Sequence, residues 1–315
     1  MSESRLLGIV VTYKRPSELG QSLAALVAQT RRLDRLIVVN NEPGSDVRAV
    51  VEQHPLAAGT VSVIDTPDNL GPAGGIASGM EALLQDASDT DFVVVFDDDD
   101  PVVDNEVLAD LAVAAAAGGP RLGGVGLRGA VLDRRTGRLR PPSMAGSDAA
   151  PSARVDYLKS GWTPLYSVRA IREIGPFDAG LFFGFDDLEF GLRLVDAGYL
   201  LEAHELGREQ ADPPSTPSLG YRRAEWRTYY TVRNLVIVLR RHASPSAVAL
   251  TVLLQGVAKP LFNLLRGPRS GWPQCRMAWT AIWHATIGRH GRTVSPETAK
   301  TNPPRRSSLT RQALR

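Results

Sequence analysis

Four consecutive carboxylates, Asp97-Asp98-Asp99-Asp100, stand between the apolar run Phe92-Val93-Val94-Val95-Phe96 and Pro101. Like charges at such spacing repel one another and gain nothing from packing, so the cluster weakens a fold unless something offsets it. A divalent cation would do so, and donors that are all oxygen suit a hard ion, Mg²⁺ or Mn²⁺. The competing explanation is a solvated acidic turn leading into the next helix. A second acidic group lies in Phe182-Phe183-Gly184-Phe185-Asp186-Asp187-Leu188-Glu189. Asp187 falls at or near the start of a helix predicted to run to Ala197, where the helix dipole favours a carboxylate and where either aspartate could serve as an N-cap. Between them, Asn69-Leu70-Gly71-Pro72-Ala73-Gly74-Gly75 is a glycine-rich entry into a helix. It lacks GxGxxG spacing, and a tight strand-to-helix turn explains it as well as close approach of a ligand to the backbone.

These groups need a scaffold, and the hydrophobic pattern predicts one. Strands are expected at Leu6–Val11, Leu36–Val39, Val61–Ile64 and Phe92–Phe96, the last Val- and Phe-rich as in a sheet covered on both faces. Helices are expected from Pro16, where Leu19, Leu23, Leu26 and Val27 share a face, from Ile76 to about Ala87, and from Glu106 to Ala117. Such alternation implies an α/β fold with a mostly parallel, doubly wound sheet, which binds ligands outside the carboxyl ends of its strands. Beyond Gly118 the pattern loosens. A strand or hairpin is expected over 123–132, a loop over 136–152, a strand over 155–167 with Trp162 near its middle, and a short helix over 168–174.

The 315 residues are 43% hydrophobic and 22% charged, an ordinary globular composition. One cysteine, Cys275, excludes an intramolecular disulfide and a cysteine-based zinc cluster, and fits a reducing compartment. The N-terminus reads as a first strand without signal-peptide layout, and no uninterrupted run of roughly 18 apolar residues predicts a membrane span. The net charge of +2 hides an asymmetry: of 36 Lys and Arg, 17 lie from Arg222 onward against two acids, Glu225 and Glu297. That segment carries +15, and residues 1–221, with 19 bases and 32 acids, carry −13. An acidic body with a basic, aromatic-bearing end points to an anionic partner.

The ordered set of motifs resembles the inverting family 2 nucleotide-sugar glycosyltransferases of the GT-A fold. It comprises Thr12-Tyr13-Lys14-Arg15-Pro16, Val39-Asn40-Asn41, Asn69-Leu70-Gly71-x-Ala73-Gly74-Gly75, Asp97-Asp98-Asp99 and Phe182-x-x-x-Asp186-Asp187-x-Glu189-Phe190-x-x-Arg193, within residues 5–242. In motif pattern it looks most like the bacterial galactofuranosyltransferases. The resemblance implies roles residue by residue. Thr12, Tyr13 and Arg15 would contact the nucleotide. Asn40, where the family more often has Asp, would read the base. Asn69 and Gly74 would lie beside nucleotide and sugar. Asp97 and Asp99 would hold Mn²⁺ or Mg²⁺, with Asp98 near the donor sugar. The alternative register, Asp98/Asp100, is less favoured because Asp100 precedes a proline. Asp187 would be the catalytic base, its proton affinity raised by Asp186, which with Trp162 would bind the acceptor. Core packing is the other reading of Trp162. Relatives often add a metal-binding histidine after the strand that follows the base. Here 206–212 has none, leaving Gln210, Asp212, the slightly early His204 or water.

These readings give a GT-A catalytic domain over 1–222, with a nucleotide-sugar half to about 117 and an acceptor half after it. A basic helical extension over 223–300 and a disordered tail over 301–315 would follow. The expected donor is UDP-galactofuranose and the expected acceptor a glycan or lipid-linked glycan, with a dTDP-sugar rhamnosyltransferase as alternative. A nucleotidyltransferase would need a glycine-rich, basic triphosphate loop that 12–17 lacks, and a non-catalytic module would not need the Asp186-Asp187 pair. Trp226, Tyr229, Tyr230, Arg233, Val236, Leu239 and Arg240 trace a helix. The apolar run after Pro245, interrupted by Gln255, Gly256, Lys259 and Pro260, is expected to lie in an interface rather than span. This predicts peripheral attachment of a cytoplasmic protein to the anionic inner face of a membrane, without nucleic acid. Packing of these helices on the body or in a homo-oligomer is the competing reading.

Overall fold

The computed structural model describes residues 4–54, 61–102, 104–143, 152–204 and 225–295. Its first half alternates as expected: β1 (Leu6–Thr12), α1 (Pro16–Val27), β2 (Arg35–Asn40), α2 (Val47–Glu52), β3 (Val61–Asp65), α3 (Gly71–Leu83), β4 (Phe92–Asp97) and α4 (Val107–Ala117). The second half is built from shorter pieces: β5 (Leu122–Gly126), β6 (Gly129–Asp133), β7 (Arg138–Arg140), β8 (Ser152–Val155), β9 (Tyr157–Leu158), β10 (Leu165–Ser167), α5 (Val168–Ile174), α6 (Asp186–Asp196) and β11 (Leu200–His204). The strand expected over 155–167 is therefore three pieces, and Trp162 stands in the loop between β9 and β10.

Eight strands form one sheet in the order β3-β2-β1-β4-β10-β5-β11-β8. β10 runs against β4 and β5, and β8 runs against β11; the other six share one direction, so the sheet is mostly parallel. Alternate side chains feed two cores. Leu7, Ile9, Ile37, Val39, Val93 and Val95 pack under Ile76, Ala77 and Met80 of α3 and Phe190 and Leu194 of α6. Leu6, Val10, Leu36, Val38, Val94 and Phe96 pack under Leu19, Leu23 and Leu26 of α1 and Leu108 and Leu111 of α4. Both faces are covered, which is why β4 could read as an unbroken apolar run until it reached the aspartates.

The C-terminal helices divide in two. α7 (Glu225–His242) is part of the body rather than an extension that starts at 223. Its Val238 and Leu239 join Leu188 and Leu192 of α6 in one cluster, and its Tyr229 and Tyr230 join Phe182 in another. α8 (Pro245–Leu253), a π-helical turn (Leu254–Ala258) and α9 (Lys259–Arg266) follow almost without a break, and α10 (Pro268–Thr286) packs back on α7. The interruptions expected to break this segment do not do so, because the π-helical turn immediately before Pro260 accommodates its missing donor. Pro245–Leu265 is thus one helical stretch of 21 residues, by length and composition long and apolar enough to cross a membrane, contrary to the expectation that it is too interrupted. The 301–315 tail lies outside the described residues.

Candidate active site

β4 delivers the aspartates to the carboxyl end of the sheet, and its alternation sends them in different directions. Asp98 turns towards the α1 side: its carboxylate accepts from Thr12 Oγ1 (2.8 Å) and Arg15 Nη1 (3.1 Å), and its carbonyl accepts from Ser22 Oγ (3.0 Å). Asp99 is exposed and takes the same guanidinium at 2.5 Å. Asp97 and Asp100 instead converge over Gly161. A Cβ built on that glycine would come within 2.9 Å of Asp97 Oδ2 and 3.2 Å of Asp100 Oδ2. Burial, reinforced by Asp99, Asp100, Asp98 and Asp187, pushes the Asp97 carboxyl up to about 7. Asp98 is also raised by burial, against the pull of Thr12 and Arg15.

The second carboxylate pair opens α6. Asp187 accepts from the backbone N–H of Leu188 (2.8 Å) and of Ser160 (3.3 Å). Burial raises its carboxyl, while those two amides and Lys159 pull it back. Asp186, more deeply buried, is pushed up to about 7 by burial first and by the Asp187 charge second. Burial is thus the larger cause, where repulsion between the pair was expected. Backbone amides pull both carboxyls back against burial, and the two titrate as a coupled pair with raised proton affinity.

The turn Lys159-Ser160-Gly161-Trp162, closed by Trp162 N–H to Lys159 O (3.3 Å), joins the two acidic groups. Ser160 touches Asp187, and Gly161, at φ +80°, makes room for Asp97 and Asp100. Sequence reasoning passed over these three residues; the signal was a lone Gly beside Trp162 in what read as a strand. Trp162 itself is 4% exposed, with the Arg128 guanidinium 4.8 Å and the Lys159 ammonium 5.8 Å from its ring centre. Its ring is packed into the protein, not open for a sugar to stack upon.

Other expected contacts are turned inward. Asn40 is buried, its amide donating to Asp65 Oδ1 (2.9 Å) and accepting from Ser45 Oγ (3.0 Å) and Glu42 N–H (3.1 Å), so it shapes the β2 loop. Tyr13 is half-buried, with the Lys14 ammonium 5.0 Å from its ring centre. Asn69 Oδ1 accepts from Gly71 N–H (2.8 Å), and Asn41 Nδ2 donates to Gly71 O (2.9 Å), fixing the start of α3. Gly74 serves packing: a Cβ there would meet Leu70 Cβ at 2.7 Å and Ala179 Cβ at 3.8 Å. Gly71 is more constrained still. At φ +69° it lies so close to the loop before α6 that a Cβ would sit 2.1 Å from Phe182 O. Phe182 and Phe185 also take positive φ (63° each), a cost of about 1–3 kcal/mol apiece that the surroundings must hold in place. Arg193 is structural: its guanidinium donates to Ile174 O (2.8 Å) and Pro176 O (2.7 Å) at the end of α5. His204 ends β11 with Nε2 3.4 Å from Glu202 Oε2, and 206–212, with Gln210 and Asp212, lies outside the described residues.

Among the described residues no three His, Cys, Asp or Glu side chains converge on one point. Asp97 with one neighbour still fits a hard ion, because Mg²⁺ is commonly held by one or two carboxylates together with substrate phosphates. The space that the missing Gly161 side chain leaves beside Asp97 and Asp100 agrees with this.

The comparisons agree with this architecture. Residues 9–147 match the profile of glycosyl transferase family 2. Galactofuranosyltransferase GlfT1 of Mycobacterium tuberculosis (strain H37Rv) is 37% identical over 215 residues, covering 63% of this chain and 66% of that protein. The chain carries a family 2 glycosyltransferase domain. The protein of the same name from Mycolicibacterium smegmatis is 34% identical over 205 residues, 60% of this chain and 65% of its own. The alignments thus span just under two thirds of these relatives' length. Two solved structures share the glycosyltransferase domain's GT-A fold. Mannosyltransferase PcManGT from Pyrobaculum calidifontis, in complex with GDP-Man and Mn²⁺, has TM-score 0.52 at 18% identity, covering 91% of this chain and 76% of that one. GalNAc-T7 with UDP, GalNAc and Mn²⁺ has TM-score 0.52 at 15% identity, covering 76% and 48%.

Proposed function

We propose that this domain transfers galactofuranose from UDP-galactofuranose, with inversion, to a glycan or lipid-linked glycan acceptor. One observation carries the reading: consecutive residues of a single turn, Ser160 and Gly161, touch the α6 carboxylate and the β4 aspartates, so base and donor site share a wall. The names of the relatives at 34–37% identity support the choice of sugar. Asp187 takes the proton of the acceptor hydroxyl as that oxygen attacks the anomeric carbon; the bond from that carbon to the diphosphate oxygen breaks, and UDP leaves on the opposite face. A buried base with raised proton affinity suits this task, and Asp186, protonated, can donate a hydrogen bond to the acceptor. A bound Mn²⁺ or Mg²⁺ would neutralise charge on the departing diphosphate. Asp97 is the ligand common to two pairings: with Asp99 once Arg15 turns to the diphosphate, or with Asp100 as they stand over Gly161.

The test is thermal stabilisation by UDP-, dTDP- and GDP-sugars with Mn²⁺, followed by UDP release with an acceptor, since a ligand raises stability only where it binds the folded state. UDP-galactofuranose should stabilise and turn over, and EDTA should abolish both. Preference for a dTDP-sugar would favour the rhamnosyltransferase reading. Asp97→Ala should be inactive, and whichever of Asp99→Ala and Asp100→Ala is the more damaging identifies the second ligand.

We further propose that α8–α10 rest on an anionic membrane surface from the cytoplasmic side. Leu253, Val257, Leu261, Phe262 and Leu265 are 51–78% exposed, as are Trp272 and Trp283 of α10. No acid lies between Glu225 and Glu297, while Lys259, Arg266, Arg269 and Arg276 all do. The helix is tied sideways to the protein, by Ser246 Oγ to Arg135 O (3.1 Å) at one end and by Trp279 Nε1 to Gly256 O (2.7 Å) further along, which suits lying in the interface more than crossing it. Wild type should float with anionic vesicles and be released by high salt. A protein that stays in the soluble fraction as a dimer at low salt would replace this reading with self-association.

A further inference from the structure

The loop that delivers the base does not hold its own shape. Residues 180–185 contain a γ-turn at Phe182 (φ +63°, ψ −57°), closed by Phe183 N–H to Leu181 O (2.7 Å), and a left-handed Phe185 at the helix entry. Both are conformations that a bulky residue avoids when left to itself. What holds them comes from α7. Asn234 Nδ2 donates to Leu181 O, Phe183 O and Gly184 O, each at 2.9 Å. Arg233, fully buried, donates through Nη2 to Leu181 O (2.8 Å) and Gly180 O (3.2 Å), and through Nη1 to Gly291 O (2.7 Å). Its Nε donates to Asn234 Oδ1 (2.9 Å), which orients the amide so that its N–H groups face the loop. Tyr230 lies 4.9 Å from the Phe182 ring and Trp226 4.8 Å from the Phe183 ring, centre to centre.

We infer that Arg233 and Asn234 are positioning residues for catalysis: they hold the carbonyls of 180–184 so that Asp186 and Asp187 enter α6 at the geometry the reaction needs. A buried cation is costly unless each donor is used, and here three contacts go to Gly180 O, Leu181 O and the Asn234 amide that reaches the same loop, and two more to Gly291 O and Thr293 Oγ1. Folding α7 onto α6 could be done by apolar contacts alone, as Val238 and Leu239 do. The polar pair does something else, fixing individual peptide planes just ahead of the base. The donor side feels the same loop, because Phe182 O also lies against Gly71 and accepts from Ala73 N–H (3.4 Å).

This inference rests on the glycosyl-transfer reading for its kinetic arm and has a second arm that does not. Asn234→Leu removes the donors at nearly constant volume, and Arg233→Lys keeps the charge but not the fork. In each, kcat should fall, by about 10²-fold for Asn234→Leu and about tenfold for Arg233→Lys, because misplacement of a catalytic group by an ångström has effects of that size. The Kd for UDP with Mn²⁺ and a cooperative melt should be retained. Hydrogen exchange of the peptide covering 180–188 should accelerate in both variants, with β1–β4 unchanged. A kcat close to wild type, a UDP affinity that falls as far as kcat, or unchanged exchange at 180–188 would each overturn the inference. If Asn234→Leu does not fold, Arg233→Lys carries the same readouts. If wild type turns over no sugar nucleotide, the functional reading has failed, and the exchange arm still decides whether α7 holds the loop.

Discussion

α7 and the α8–α9 segment both read in sequence as amphipathic helices of the basic C-terminal region, and the protein treats them in opposite ways. In α7 even Arg233 and Asn234 are fully buried and hydrogen-bonded, and the helix shares apolar clusters with α6 and Phe182. Across Leu253 to Leu265 most of the large apolar side chains face outward. Amphipathic spacing says that a face will be covered but not by what. In α7 the covering partner is the catalytic body; in α8–α9 much of the apolar side is left exposed. Burying a large side chain contributes about 1.5–3 kcal/mol, so a surface with several left exposed is expected to meet a second apolar phase.

If that division is right, substitutions should fall into two groups that do not mix. The largest effect is expected at the proposed base: Asp187→Asn should lower turnover by about 10²–10⁴-fold while UDP still binds, measured by initial rates and calorimetry. A variant near wild-type activity would remove Asp187 from the mechanism. Next, Tyr230→Ala should cost about 3–5 kcal/mol of stability in a denaturant titration, whereas Leu265→Ala should cost under about 0.5 kcal/mol. Equal losses would erase the contrast between the two regions. Third, Leu261→Ser, Phe262→Ser and Leu265→Ser combined should weaken vesicle binding by at least about tenfold while leaving the melting temperature and the turnover of a water-soluble acceptor as they are. A parallel fall in turnover would mean that the outer helices belong to the active body after all.

The smallest effect concerns pH. Asp97 and Asp186 have folded-state values of about 7 against an ordinary 3.8. Between those limits the folded protein keeps protons that the unfolded chain has lost, so stability falls as pH rises across this window. Asp186→Asn has no such proton to lose. Its melting temperature should therefore gain on wild type by a few degrees between about pH 5 and pH 8, on the scale of 2–4 °C per kcal/mol. Identical slopes would show that the Asp186 carboxyl is not held protonated by its surroundings.

Much of the first half, to about residue 117, was legible because it repeats one rule. Runs such as Leu36–Val39 and Phe92–Phe96 are apolar throughout, and each ends where the chain must turn. The helix over 168–174 and the entry of α6 at Asp186 were also readable, from Gly175-Pro176 and from the acidic first turn. What could not be read depended on distant partners. Asn40 could be matched to a role by its place after β2, but its hydrogen bonds to Asp65 and Ser45 could not be read. Gly74 looked like space for a ligand, but Leu70 and Ala179 fill it. The stretch 155–167 looked like one strand, but β8 ends in it, β9 and β10 lie within it, and their different sheet neighbours separate them. Lys159-Ser160-Gly161 carries only the weak local signal of a glycine beside Trp162, since its role comes from two acidic groups remote from it in sequence.

Gly71 sets a boundary on how far this scaffold can be rewritten. Two independent demands meet at that position, a backbone angle of +69° and a carbonyl 2.1 Å from where a side chain would begin. Satisfying either with a side chain present would move the turn or the Phe182 peptide, and with them the proposed donor contacts or the proposed base. Glycine is the one residue type that fits both. A lineage or an engineer seeking a new sugar or acceptor could vary the residues around this point freely, but only as variations on a hinge pin that stays the same.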